Sequence, residues 1–210
     1  MMMQFFCRSL TFVLMLVGTT VCVLAAGPKL SSQELTDAGW TAIFDGETLA
    51  GWQPTGEGEW RVADSTIVTK GDAPGWLMTT REWADFELHV EFRAPAATNS
   101  GVFLRTVLDP KDPTKDCYEL NIAPADNPFP TGSLVGRKKL ALAAEDFPAA
   151  DRWHALDVTA NGGRWTVALD GRQVLKYADP APLVSGHIGL QSKQGPVSFR
   201  NLRVRTFGGQ

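Results

Sequence analysis

Between residues 86 and 93 the side chains alternate without a fault: Phe86, Leu88, Val90 and Phe92 are apolar, while Glu87, His89, Glu91 and Arg93 are polar or charged. A period of two predicts a strand with one face in a core and the other open to water or ligand. After a loop through Pro95, residues 100–105 resume the pattern, with Val102 and Leu104 inward and Asn99, Gly101, Phe103 and Arg105 on the other side. Pairing of these two strands gathers His89, Glu91 and Arg105 on one surface, and Gly101 leaves room there for a ligand to approach the backbone.

Strands are predicted over residues 40–44, 59–63, 66–70, 76–80, 85–93, 100–105, 117–123, 153–161, 164–169, 172–177, 187–193 and 197–207, separated by Gly, Pro, Asp and Asn. Many short strands at this spacing predict an all-β fold, an antiparallel two-sheet jelly-roll sandwich. The clearest hairpin runs through Trp165, Val167 and Leu169 into Asp170-Gly171, a type I′ turn signal. Asn161-Gly162-Gly163 supplies the hairpin before it. Arg200-Asn201 breaks the alternation of the last strand and predicts a bulge aimed inward or toward a site.

The first 26 residues carry a different pattern. Arg8 is their one charge, an apolar run follows over residues 10–24, and Ala25 and Ala26 offer a cleavage point, which together predict an export signal. The competing expectation is a membrane anchor, against which Gly18, Thr19 and Thr20 interrupt the run. A lipoprotein signal at Cys22 is disfavoured by Val21, where a small residue is needed. Residues 27–39 are expected to be a leader with at most a short helical turn, and residues 40–207 a single domain with a sizeable core.

Loss of the signal takes the formal net charge from −3 to about −4. This mild acidity gives no footprint for nucleic acid or anionic lipid, so neither is expected as a partner. Of the three cysteines only Cys117 would remain, so no intrachain disulfide can form in an exported chain.

Candidate chemistry sits on the polar strand faces. Glu119 and Asn121 share one face because Leu120 and Ile122 alternate with them, Gln191 follows the same logic beside Leu190, and Lys193 lies two positions further on. Glu91, Glu119 and His89 are acid–base candidates, Arg105 a group to hold or polarise an oxygen, and Asn99, Asn121, Gln191 and Lys193 candidate substrate contacts. A plainer alternative makes Glu91 and Arg105 a cross-strand ion pair worth roughly 0.2–1 kcal/mol. His89 with Glu91 is at most a weak signal for a divalent metal, so no cofactor is assigned. Of the seven tryptophans most are expected in the core, with Trp76 and Trp83 the candidates for stacking on a sugar ring.

The landmarks GWTAIFDGETLAGW, DFELHVEFR, NSGVFLR, YELNI, TGSLVG, RWHALDVTANGGRWTVALDG and GHIGLQSKQGPVSFRNLRVR, in this order, resemble the 3-keto-disaccharide hydrolase domain family. The resemblance covers roughly residues 39–207 and implies a secreted or periplasmic bacterial protein with a concanavalin A-like or laminin G-like jelly roll. It further implies cleavage of a glycoside already oxidised to a ketone at C3. The ketone acidifies the C2 hydrogen, so a base removes it, the glycosidic oxygen leaves, and water adds to the enone. The chain departs from the family pattern at Asn121, where many members have Gln, at Ala123-Pro124, where an Asp is usual, and at Val135, where Tyr is usual.

Two other functions fit the same pattern. One is a non-catalytic carbohydrate-binding, lectin-like module; the other is an ordinary two-carboxylate glycosidase built on Glu91 and Glu119. A serine or cysteine hydrolase is disfavoured, since no GxSxG elbow exists and Cys117 lies in a strand pattern without a base beside it.

Overall fold

The computed structural model describes Thr36 and residues 38–207. The predicted export signal and most of the leader lie outside these residues. Thirteen strands and one 3₁₀ turn follow in the order β1 (Thr41–Ala42), β2 (Trp52–Gly56), β3 (Arg61–Ala63), β4 (Thr66–Thr69), β5 (Gly75–Trp83), β6 (Phe86–Arg93), β7 (Ser100–Thr106), β8 (Tyr118–Ile122), the turn Ala144–Asp146, β9 (His154–Asn161), β10 (Arg164–Leu169), β11 (Arg172–Ala178), β12 (Gly186–Ser192) and β13 (Val197–Thr206).

They form two antiparallel sheets, the all-β sandwich that the strand pattern predicts. The larger has the order β11-β10-β9-β6-β13-β4-β3, with β1 also on β13; the smaller has the order β2-β5-β12-β7-β8. The inward residues of both sheets make one core. Leu88, Val90 and Phe92 of β6 and Phe199 and Val204 of β13 join Leu77, Val102, Leu104, Leu120 and Leu190 of the smaller sheet. Each such side chain taken fully from water contributes about 1.5–3 kcal/mol, so this core organises the fold.

The turn chemistry is as the sequence predicts. Asp170 and Gly171 both have positive φ, 50° and 77°, as a type I′ hairpin requires. The break at Arg200-Asn201 is a true bulge: the register of β13 against β6 shifts between Arg200 and Arg203, and Asn201 has φ 53°. The one strand with no sequence signal is β2, WQPTG, which contains Pro54. It is tolerated because β2 is the edge of the smaller sheet, where an N–H can be dispensed with.

One predicted pairing is corrected. β6 and β7 are not neighbours: β6 lies between β9 and β13 in the larger sheet, and β7 between β12 and β8 in the smaller. Residues 94–99 therefore carry the chain from one sheet to the other, and the outer faces of β6 and β7 lie on opposite sides of the sandwich. β8, which ends the smaller sheet, is covered on its free side by backbone bonds with residues 132–135, including Asn121 N–H to the Ser133 carbonyl and Val135 N–H to the Glu119 carbonyl, each 2.9 Å.

Candidate functional site

The outer face of the smaller sheet is assembled from two neighbouring rows of side chains. Trp76 on β5 pairs in register with Gln191 on β12, and Gly101 on β7 pairs with Asn121 on β8, one step along from the Leu190–Val102 pair. The adjoining row places Met78, Gly189, Phe103 and Glu119 across the same four strands. Glycine at 101 and 189 keeps the middle of the face low. A β-carbon at Gly189 would sit 2.4 Å from the Met78 sulfur, so a larger residue there requires the Met78 side chain to move.

A cleft of about 310 Å³ opens over Trp76 and Gln191 of the first row and Phe103 and Glu119 of the second. Trp76 and Phe103 form an apolar wall, edge to face with ring centres 6.0 Å apart. Pro110, Lys111 and Pro113, from the loop after β7, form the opposite lip, and Glu119, Gln191 and Lys193 supply the polar groups. Lys111 carried no sequence signal, because its loop has no periodicity that places it on a face. Its ammonium is held by Asp109 at 2.7 Å.

Glu119 is the sole carboxylate among the described residues lining this cleft, and it is only 6% exposed. Burial raises its pKa above the ordinary carboxylate value; the positive charge of Lys193 and the Gln191 amide partly offset that rise. The side-chain oxygens of Gln191 and Asn121 are buried and have no hydrogen-bond partner among the described residues. The Asn121 amide nitrogen donates to the Phe129 carbonyl, which fixes the side chain and leaves its oxygen free to accept. Buried acceptors without donors are costly unless a ligand completes them. Ser100 Oγ donates to the Gln191 backbone carbonyl at 2.8 Å and ties β7 to β12 beneath the cleft. Asn99, one step before β7, exchanges backbone hydrogen bonds with Gln194 at 2.8 and 3.0 Å, so it lies at the end of this face nearest Lys193.

The remaining candidates lie elsewhere, each for a definable reason. Arg105 does not join Glu91 on a surface. Against β12 the register of β7 slips near it, and its φ is +46°, so the bulge turns its side chain out of the alternation and into the rim of the sandwich. There the guanidinium is 2% exposed and donates to the carbonyls of Ala84, Gly162 and Leu183, each at 2.7 Å, and to Asp85 at 2.8 Å. Every terminal nitrogen is thereby used for fold closure.

His89 and Glu91 face out from the larger sheet. His89 Nδ1 meets Asp157 at 2.6 Å, and its Nε2 lies 3.8 Å from Glu91. Glu91 accepts from Arg200 Nε at 2.6 Å and from the Asn201 amide, the two residues of the predicted bulge. Burial opposes ionisation of Glu91, but the His89 imidazole nearby and the hydrogen bonds from Asn201 and Arg200 outweigh it and hold its pKa down to about 2. Burial likewise works against charge on His89, and the hydrogen bond to Asp157 with the Glu91 carboxylate nearby prevails, raising its pKa. The expected Glu91–Arg105 pair is thus a Glu91–Arg200 pair.

Glu91 and Glu119 cannot flank one glycosidic bond, because the core separates them. No group of three or more His, Cys, Asp or Glu side chains among the described residues is arranged to hold a metal. Trp83 is 6% exposed and belongs to the core, so of the two tryptophans considered for stacking only Trp76 lines the cleft. Cys117 is fully buried, and burial pushes its thiol far up, which suits a packing residue.

Residues 39–205 match the family model for the 3-keto-alpha-glucoside-1,2-lyase-like domain. The chain belongs to this family. No curated protein sequence matches it. Its fold is similar to that of a candidate glycosyl hydrolase of Parabacteroides distasonis, at TM-score 0.73 and 18% identity over 85% of this chain and 99% of that one. A second candidate glycosyl hydrolase from the same organism gives TM-score 0.67 and 23% identity over 80% and 99%. The carbohydrate-binding module CBM66 of Bacillus subtilis gives TM-score 0.60 and 18% identity over 74% and 96%. At these identities the structural likeness establishes the jelly-roll fold, and the family match ties the domain to carbohydrate chemistry.

Proposed function

We propose that the Glu119 cleft binds a 3-keto-α-glucoside and cleaves its glycosidic bond by elimination. The observation that carries this is Glu119 itself: a lone carboxylate, buried in the floor of the cleft, with its pKa raised by desolvation and a cation beside it. Such a group is a stronger base than a free carboxylate.

In the proposed step Glu119 takes the C2 proton and the C–H electron pair becomes the C1–C2 double bond. The aglycone oxygen leaves with the C1–O pair and takes up a proton from Lys193. Charge that develops on the C3 oxygen falls near the same ammonium or that of Lys111. Trp76 and Phe103 offer a face for the ring, and the unpartnered oxygen of Gln191 accepts a hydroxyl, with Asn121 on the same sheet face beyond the cleft lining. Addition of water to the enone would complete hydrolysis. The export pattern of residues 1–26 supports action on glycosides outside the cytoplasm.

A two-carboxylate glycosidase lacks its second carboxylate here, which leaves the binding module as the competing function. The test is turnover of a 3-keto-disaccharide beside its unoxidised parent, following released sugar and enone absorbance. Cleavage of the keto substrate alone, abolished in Glu119→Gln and retained in Glu91→Gln, is the expected result. Saturable binding of both sugars with no cleavage of either would refute the elimination and leave a sugar-binding domain.

A further inference from the structure

The Glu119 cleft is not the only hollow on the described surface. A groove of about 850 Å³ crosses the outer face of the larger sheet, within the size range of small-molecule sites. Its floor follows from the strand register. Arg93 on β6 pairs with Ser198 on β13, Ser198 with Val68 on β4, and Val68 with Arg61 on β3. Two small side chains therefore lie between two arginines set three strand spacings apart, roughly 14 Å.

The walls are aromatic. Trp153 carries the Arg200 guanidinium 3.9 Å and that of Arg93 5.0 Å from its ring centre. Trp60 lines the groove with its ring partly exposed, while its indole N–H is buried and has no partner among the described residues. Glu91 takes the Nε–H of Arg200, which orients the fork and leaves both terminal NH₂ groups without a hydrogen-bond acceptor among the described residues. Lys70 stands at the rim.

The charges in this groove are unbalanced. Arg61, Lys70 and Arg93 have no carboxylate partner among the described residues, and the only acids lining the groove are Glu59 and Asp64. This local excess of cations stands on a chain whose formal net charge is −3. Arginine forks match carboxylate and sulfate oxygens, and an indole beside them suits the apolar face of a sugar ring.

We propose that this groove is a second saccharide site, selective for sugars that carry a carboxylate or sulfate group. Arg93 and Arg200 hold the anion beside Trp153, Trp60 receives the ring, and Arg61 or Lys70 meets a second anionic residue. The site stands apart from the Glu119 cleft and needs none of its chemistry.

Calorimetric titration of the purified protein tests this. The probes are a short oligogalacturonate, its neutral methyl ester, a sulfated oligosaccharide of the same length and a single-stranded oligonucleotide of equal charge. Expected is saturable binding of the carboxylate or the sulfate probe, whichever the forks prefer, weakened by added salt. Affinity should fall roughly tenfold or more in Arg61→Ala/Arg93→Ala and in Lys70→Glu, with melting temperature unchanged, and stay the same in Glu119→Gln. Binding of the ester as tight as that of the acid would overturn the proposal. So would an undiminished affinity in the double variant, preference for the oligonucleotide, or no binding by either acidic saccharide.

Discussion

The side chain of Glu119 lies against the open face of Gly101. A β-carbon at position 101 would stand 3.4 Å from Glu119 Cγ, 3.6 Å from its Oε1 and 3.1 Å from the Leu120 carbonyl oxygen. Gly101 thus provides the space that seats the carboxylate in the cleft floor. Gly101→Ala should crowd the Leu120 carbonyl, so that the β8 backbone gives by a few tenths of an ångström and carries Glu119 with it. The expected cost is about 1–3 kcal/mol in urea unfolding, with kcat/KM on a 3-keto-disaccharide down by about tenfold or more. Full activity in this variant would show that the placement of Glu119 is immaterial.

Burial raises the pKa of Glu119, so its ionised form opposes folding. The sign follows from linkage: the folded chain binds the proton more tightly than the unfolded chain. This group's contribution to stability therefore declines as pH rises from the unfolded value of 4.5 through the raised folded value. Glu119→Gln removes that penalty. Its melting temperature should exceed that of the wild type at pH 7, with the difference shrinking toward pH 4, while turnover is lost. A variant that melts lower than the wild type at pH 7 would contradict a desolvated carboxylate. In the wild type the acid limb of the kcat/KM profile should fall above the ordinary carboxylate range, because the base must be deprotonated.

Much of this was legible in the chain. Strict alternation on β6 and β8 identified which residues face outward, and Glu119, Asn121, Gln191 and Trp76 do share one face. Alternation is a local signal, however, and carries no information on which sheet a strand joins. His89 and Glu91 were grouped with Arg105 because β6 and β7 are consecutive, whereas the connection over residues 94–99 changes sheets. Arg105 was misplaced for a second reason: a bulge inverts side-chain parity, and Arg105 carries none of the glycine or asparagine character that marks positive φ. The groove between Trp60 and Trp153 depends on the pairing of β3 with β4, β4 with β13 and β13 with β6, strands distant in sequence, so composition alone did not reveal it.

The Glu91 cluster makes its own pH signature. Its folded pKa of about 2 lies below the ordinary 4.5, so the stability it provides is present above pH 4.5 and is lost as pH falls toward 2. By linkage this amounts to at most about 3 kcal/mol. Glu91→Gln should remove the cluster's share of acid denaturation and destabilise the protein at pH 7, because Arg200, Asn201 and His89 lose a charged acceptor. The measurement is unfolding free energy at several pH values between 3 and 7. An unfolding free energy at pH 7 equal to that of the wild type would show that the three donors find other partners.

Arg105 offers the sharpest separation of fold from function. Its guanidinium closes the rim by bonding three backbone carbonyls from segments before β6, after β9 and before β12, together with Asp85, whose carboxylate also accepts the Gly162 N–H at 2.7 Å. The bulge that sends it there depends on close packing, since a β-carbon at Gly186 would meet the Arg105 carbonyl carbon at 2.5 Å. Arg105→Met keeps the apolar stem against Trp165, whose ring centre lies 5.0 Å from the guanidinium carbon, but leaves those carbonyls without their donor. The loss should be about 3 kcal/mol. Arg105→Lys should recover little of it, because one ammonium cannot span the positions that a planar fork reaches. Well below the lowered melting temperature, kcat/KM of the Met variant should stay within about threefold of the wild type, a barrier change under 1 kcal/mol. A loss of several orders of magnitude with stability intact would return Arg105 to the reacting centre.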